Sequence, residues 1–179
     1  PGTTKEVLKP ILEKSKLEVG KDFSLCYSPE RIDPGNKAFS AVEVPKVISG
    51  VTEKCTEKIT NFYSQVFNHV VPVSSTEVAE LCKLLENSFR YINISFINET
   101  AIICDEFNID LWEVIAAAST KPYGYMSFYP GPGVGGHCIP VDPLYLSWKA
   151  TQLGIQSNFI KLADQMNMDT MNYIVSRIE

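Results

Sequence analysis

Gly131-Pro-Gly-Val-Gly-Gly-His-Cys-Ile-Pro-Val-Asp142 places a cysteine behind a glycine-rich, proline-stiffened loop, with a histidine before it and an aspartate four residues after it. Glycines lack a Cβ, so their amides approach a ligand closely. Such a loop can hold a substrate by its N–H groups while presenting Cys138. The thiolate is the reactive form of cysteine, and an ordinary thiol pKa of about 8.5 calls for a neighbouring cation. His137 and Lys83 are the candidates, with Asp142 to orient a partner or a water. A lone cysteine is more often a small buried hydrophobe, but a Gly-Gly-His-Cys loop is a poor place for a core residue. Gly131, Gly133 and Gly136 also satisfy G-x-G-x-x-G literally. That reading fails, because the dinucleotide fingerprint needs a buried strand before it and a helix opening on its last glycine. Here Tyr125–Pro130 precedes the loop and a Cys-Ile-Pro step follows.

Two other groups of side chains have the right character. Lys83 and Asn87 stand four residues apart, stacked on one helix face. Arg90 extends that face, and Asn98, three turns past Asn87, returns to it. A solvated stripe is the plainer reading, yet Asn suits such a stripe poorly because it competes for backbone hydrogen bonds. A lysine and an asparagine aimed at a cleft would polarise an oxygen through two donors. Ser28-Pro-Glu-Arg-Ile-Asp-Pro-Gly35 leaves the end of a strand. Ligands of open α/β sheets bind at the carboxyl ends of strands, which makes Glu30 and Arg31 candidates. The alternative is a turn with an exposed ion pair. His69 is expected to be structural, and Trp112 and Trp148 to lie in the core.

The 179-residue chain is 45% hydrophobic and 21% charged, as expected of a globular protein, with a formal net charge of −5 at pH 7. That balance argues against a nucleic-acid-binding face, which needs a basic patch. No apolar run approaches the roughly 20 residues of a membrane span. Cys26, Cys55, Cys82, Cys104 and Cys138 are odd in number and scattered, with no C-x-x-C pair. This is neither a disulfide framework nor a zinc site, and it fits a reducing compartment, the cytoplasm. No metal ligand set is expected.

The elements that must position these groups fall in two halves. In residues 1–75, Thr3 or Thr4 is expected to cap a helix with apolar Val7, Leu8, Ile11 and Leu12. Phe23–Tyr27, Lys46–Ser49 and Val70–Val73 read as strands, and Thr52 starts a helix to about Val66. Strand–helix–strand order implies a parallel or mixed sheet covered by helices, the back half of a larger α/β domain. Residues 76–107 contain no Gly or Pro, and Val78, Leu81, Leu84, Leu85, Phe89, Ile92 and Phe96 recur at helical spacing. Asp110 caps a shorter helix over 111–118. Asp142-Pro143 restarts one to about Leu153, and a final helix runs from Ser157. Residues 76–179 thus form an all-helical domain with one long helix.

With these pieces placed, the chain resembles the nucleotide-sugar 6-dehydrogenases, the UDP-glucose and UDP-N-acetylhexosamine dehydrogenase family. Pro1-Gly-Thr-Thr4, Ser28–Gly35, Ala79-Glu-Leu-Cys-Lys-Leu-Leu-Glu-Asn-Ser-Phe-Arg90 and Gly131–Tyr145 carry the match in the family's order. The wording from Thr120 to Lys149 is most similar to the branch acting on UDP-N-acetylglucosamine or UDP-N-acetylgalactosamine. The plain UDP-glucose branch, the alternative, usually follows its cysteine loop with Lys-Asp instead of Val141-Asp142. The resemblance implies that residues 1–75 are the back part of a Rossmann-like NAD domain and residues 76–179 a central dimerisation domain. It implies oxidation of a primary alcohol to a carboxylate by two NAD molecules in turn, without metal, in a homodimer joined through the long helix. By motif, Cys138 attacks the C6 aldehyde and later carries a thioester. Lys83 stabilises the oxyanion with Asn87 as second donor, Glu30 acts as or positions the base for hydrolysis, and Asp142 holds water. The loop from Phe128 through Tyr129 to Gly135 binds the UDP-sugar chiefly by backbone groups, and Arg31 is a further contact. The main NAD fingerprint and the UDP-binding domain of the family are absent from these residues, so the chain alone is expected not to turn over.

A cysteine-dependent acyl transferase or hydrolase built on His137 and Cys138 is the competing enzyme class. Sequence neighbours rarely meet as nucleophile and base. A helical dimerisation module is the non-enzymatic reading, and it leaves the cysteine loop without a purpose.

Overall fold

The structure, a computed structural model, describes every residue except 33, 34, 36, 37 and 179. Asp33 and Pro34 of the Ser28–Gly35 segment therefore lie outside the described residues. Two compact units, Pro1–Leu84 and Leu85–Glu179, make up the chain.

In the first unit a π-helical segment, Thr3–Leu8, runs into α1 (Lys9–Glu13). The expected threonine cap is not there. Gly2 takes the cap position with φ 100°, and the cap residue offers no side-chain bond to the helix start. Thr4 instead donates its N–H at 2.8 Å and its hydroxyl at 2.6 Å to Glu80, and Gly2 N–H also donates to that carboxylate. A buried carboxylate far along the chain thus satisfies donors that a helix N-terminus leaves orphaned. The apolar face Val7, Leu8, Ile11 and Leu12 is exposed.

The sheet has the order β1–β2–β3. The first strand shrinks to β1 (Cys26–Tyr27), since Gly20 N–H closes a turn on the Phe23 carbonyl. β2 (Lys46–Gly50) is buried at every position and is the centre of the sheet. Thr52 caps α2 (Glu53–Tyr63) through its side chain. The helix stops short of Val66 because Gln65 and Val66 N–H turn to i−3 carbonyls. β3 (Val70–Pro72) follows. β2 pairs parallel with β3 and antiparallel with β1, so the sheet is mixed. The antiparallel pairing corrects the expectation about Glu30. Cys26 faces Gly50 and Tyr27 faces Ser49, so the chain leaving β1 comes out beside the start of β2, not at the carboxyl end of a parallel strand.

α3 (Thr76–Glu106) is one unbroken helix of 31 residues. In the second unit it buries Asn87, Ser88, Tyr91, Ser95 and Asn98. These small and polar side chains sit at helical spacing, and several bond outward. Tyr91 donates to Asp164 at 2.9 Å and Ser95 to the Ala163 carbonyl at 3.0 Å, both on α6 (Asn158–Ile178). Asp110 caps α4 (Leu111–Ala118) by accepting from Trp112 N–H. Ile97 and Cys104 of α3 meet Leu111 and Ile115 of α4 in the hydrophobic core, with Ala101 and Phe128 packed on it. Fully burying one such aliphatic side chain contributes about 1.5–3 kcal/mol. α5 (Asp142–Gln152) starts with proline in its first turn and ends before Gly154 at φ 74°. Trp112 and Trp148 are not in the core: they are 58% and 61% exposed. No helix of the described residues is long and apolar enough to cross a membrane.

Candidate functional site

The site is built around the loop between α4 and α5. The Ser119 and Ser127 hydroxyls share a hydrogen bond, Phe128 packs edge-on against Phe89 of α3, and Tyr129 stacks on Trp112. Further on, Gly131 N–H donates to Asn98 at 2.9 Å and Val134 N–H to Asn167 of α6 at 2.6 Å. Beyond Val134 the chain stands clear. Gly135, Gly136, His137 and Cys138 are all exposed, and a Cβ at either glycine would meet nothing within 4 Å. Cys138 is therefore a free, exposed thiol and not a core residue. No hydrogen bond joins the His137 and Cys138 side chains among the described residues, so the neighbouring pair does not form a nucleophile–base couple.

Downstream, the loop is tied to α5. The Cys138 carbonyl accepts from Val141 N–H at 3.2 Å and Asp142 N–H at 2.9 Å. The Asp142 carboxylate in turn accepts from the Asn87 amide at 2.5 Å. Asn87 is buried, as is Asn98, which overturns the solvated-stripe reading; Arg90 is exposed and does not share their surroundings. Cys138, Asp142 and Asn87 are thus brought into one bonded chain within the second unit. Lys83 is half-buried on α3 and belongs to the first unit.

The other candidates lie in the first unit. Glu30 accepts from Ile32 and Arg31 N–H at 2.7 Å each, and its second oxygen pairs with Lys46 at 3.4 Å. The Ile32 amide, opposed by partial burial and helped by the Lys46 charge, holds the Glu30 carboxyl below the usual carboxylate range. It is a ready-made anion at neutral pH. Arg31 donates to the Pro45 carbonyl at 2.7 Å, and Glu30 pairs with Lys46. Lys46 was not a candidate from the sequence, where it reads as the first residue of a strand. It is buried, with its ammonium 5.3 Å from the Phe67 ring centre and 5.9 Å from that of Tyr63.

A nucleotide cofactor needs glycine backbone free to meet a pyrophosphate. Gly50, the last residue of β2, is not free: a Cβ there would lie 2.3 Å from Thr56 N and 2.5 Å from the Cys55 carbonyl carbon. It serves strand–helix packing. Its N–H is already donated to the Thr56 hydroxyl at 2.9 Å. No group of three or more His, Cys, Asp or Glu among the described residues is placed to bind a metal ion.

Known proteins resemble the chain along nearly all its length. Residues 77–169 match the central domain of the UDP-glucose/GDP-mannose dehydrogenase family, and residues 1–67 match its NAD binding domain. The chain is 44% identical over 180 residues to Protein CapL of Staphylococcus aureus and 42% identical over 180 residues to UDP-N-acetyl-D-glucosamine 6-dehydrogenase of Pseudomonas aeruginosa. Each alignment covers 99% of this chain and 42% of the relative. A solved structure, the UDP-D-ManNAc dehydrogenase of Pyrococcus horikoshii, superposes with a TM-score of 0.87 at 30% identity, over 98% of this chain and 41% of that one. The chain spans about two fifths of the length of these relatives.

Proposed function

The chain belongs to the UDP-glucose/GDP-mannose dehydrogenase family, and from that premise we propose that its protein oxidises the C6 alcohol of a UDP-N-acetylhexosamine to the uronate through a Cys138 thioester. The observation that carries this reading is the exposed Cys138 thiol, with its carbonyl bound by Asp142 N–H and the Asp142 carboxylate held by Asn87. A structural cysteine needs neither exposure nor such a support. The relatives' names favour an N-acetylated sugar over plain glucose, since they specify glucosamine, galactosaminuronic acid and mannosamine derivatives.

When bound, NAD supplies the hydride acceptor for each oxidation. The first converts the C6 alcohol to an aldehyde, with loss of a hydride and a proton. The Cys138 thiolate then adds to the aldehyde carbon, forming a C–S bond and an oxyanion. Loss of the second hydride leaves a thioester, and water adds to its carbonyl and expels the thiolate as the carboxylate forms. Splitting a hard oxidation around a covalent intermediate is nucleophilic catalysis. Lys83 stabilises the oxyanion, and Asn87 serves as second donor while fixing Asp142. Asp142 orients the hydrolytic water. Glu30, kept ionised by Ile32 N–H and Lys46, acts as or positions the base. The backbone from Phe128 through Tyr129 to Gly135 contacts the sugar nucleotide, with Arg31 as a further contact.

A second copy of the protein packs on α3 in this reading. Leu85, Phe89, Phe96 and Ile103 are exposed at spacings of four, seven and seven, the stripe of a helix that buries one face against a partner. All five cysteines are free, which fits the cytoplasm.

Incubating the intact protein with NAD and a panel of UDP-sugars tests the function. The expected result is two NADH per sugar consumed, with the N-acetylhexosamines preferred over UDP-glucose. One NADH per sugar with an aldehyde as the end product would contradict it.

A further inference from the structure

Resting on the reading of Cys138 as the nucleophile, we propose that Asn167 of α6 is a positioning residue for the reaction, holding the cysteine loop by its backbone, with Asn98 of α3 as the second anchor. Asn167 is 7% exposed. Its Oδ1 accepts from Val134 N–H at 2.6 Å and its Nδ2 donates to the Val134 carbonyl at 3.3 Å. One carboxamide therefore answers both polar groups of a single loop residue, as a neighbouring strand would. Asn98, 2% exposed, takes the Gly131 N–H. Gly133 lies between the two anchors at φ +109°, and a Cβ there would meet Asn167 Oδ1 at 3.2 Å and Met171 Cγ at 3.3 Å. The loop backbone is seated directly on α6, and a glycine is what permits both the torsion and the approach.

The consequence for Cys138 follows from what lies after Val134. Gly135 and Gly136 have no neighbour within 4 Å of a Cβ position, and Gly136 has φ +91°. Two glycines in open space fix nothing. The position of Cys138 is set from the ends of this short span, by Asn167 at Val134 and by Asp142 N–H at the Cys138 carbonyl. Asn167 touches no reacting atom in this account; it acts through the loop. The side chain must be a short arm with one acceptor and one donor. Asp keeps the acceptor but, when ionised, sets a charge against the Val134 carbonyl; Ala keeps neither.

The test uses the intact protein carrying Asn167→Ala and Asn167→Asp, checked for wild-type circular dichroism. Both variants should lose kcat by about tenfold or more at alkaline pH, with the KM for NAD unchanged, since a small displacement of the attacking atom costs this much. Asn167→Asp should recover relative to wild type as pH falls, because a protonated carboxyl again offers an acceptor and a donor. A general loss of structure would not produce that pH-dependent rescue. Hydrogen exchange at the Val134 amide should be about tenfold faster in Asn167→Ala. Wild-type kcat in both variants, or unchanged exchange at Val134, overturns the proposal. If the wild-type protein itself makes no NADH from any UDP-sugar, the proposed function fails, and the exchange measurement still decides whether Asn167 holds the loop.

Discussion

Asn87 of α3 and Asp142 of α5, 55 residues apart in sequence, share a hydrogen bond of 2.5 Å from amide to carboxylate. The same Asp142 donates its backbone N–H to the Cys138 carbonyl at 2.9 Å. A residue on the long helix therefore reaches Cys138 through one intermediary. Asn87→Ala should destabilise the fold by about 2 kcal/mol, the usual cost of removing a charge-assisted bond from a buried group. Asn87→Asp sets two carboxyls side by side, and protonating one restores a hydrogen bond. In denaturant melts its stability should rise as pH falls, whereas that of Asn87→Ala should not. Identical pH profiles would show that the pair does not interact.

Glu80 is a buried carboxylate with a long reach. Three donors, Gly2 N–H, Thr4 N–H and the Thr4 hydroxyl, converge on it. Glu80→Ala leaves all three without this acceptor and should cost about 3 kcal/mol, at roughly 1 kcal/mol per bond. Glu80→Gln keeps one acceptor oxygen and should cost about half as much. Equal losses from the two variants would mean that packing, not acceptance, is what Glu80 provides.

Gly50→Ala tests the joint between β2 and α2. A Cβ at that position would lie 2.3 Å from Thr56 N and 2.5 Å from Cys55 Cβ. Backbone cannot give way as a flexible side chain can, so the substitution should destabilise by about 3 kcal/mol or more. A thermal melt within experimental error of wild type would place the helix farther from the strand.

The alkaline limb of stability should report Tyr91. Burial, with the hydrogen bond to Asp164, pushes its phenol well above the usual value. A group whose pKa is raised on folding contributes stability that is fully present below its unfolded pKa. It is lost as pH rises, here above about pH 10, by roughly 1.4 kcal/mol per unit. Cys26, pushed up to about 11 by burial, adds a loss of the same sign. Tyr91→Phe should be less stable near neutrality, since Asp164 loses its donor, yet show a shallower decline above pH 10. A decline as steep as wild type would remove Tyr91 from the account.

Local pattern was enough where neighbours in sequence do the work. The Gly- and Pro-free run made α3 legible almost to the residue, and Asp110 and Thr52 announced their helices by capping them. It was also enough to pick out Cys138 as exposed, whereas the plainer reading left Asn87, in fact buried, on a solvated stripe. What stayed hidden depends on partners remote in sequence. The first helix lacks its threonine cap because Glu80 engages Thr4. The antiparallel pairing of β1, which carries Glu30 to Lys46, is set by strands that no periodicity orders. Lys46 and Asn167 have no local signature at all, since a strand lysine and a helix asparagine look ordinary until the groups they bond are in place. The tryptophans misled because aromatic size argues for burial on average, whereas Trp112 spreads an open face that Tyr129 stacks on.

A sulfur covalently bonded to the substrate is the central expectation, and acid-quenched turnover reads it directly. The intact protein is mixed with NAD and a UDP-N-acetylhexosamine, stopped in acid, digested, and the peptide bearing Cys138 is weighed. The expected spectrum contains that peptide with the sugar nucleotide joined as a thioester, and Cys138→Ala neither shows the adduct nor forms the uronate. Uronate production by Cys138→Ala at the wild-type rate would contradict the account.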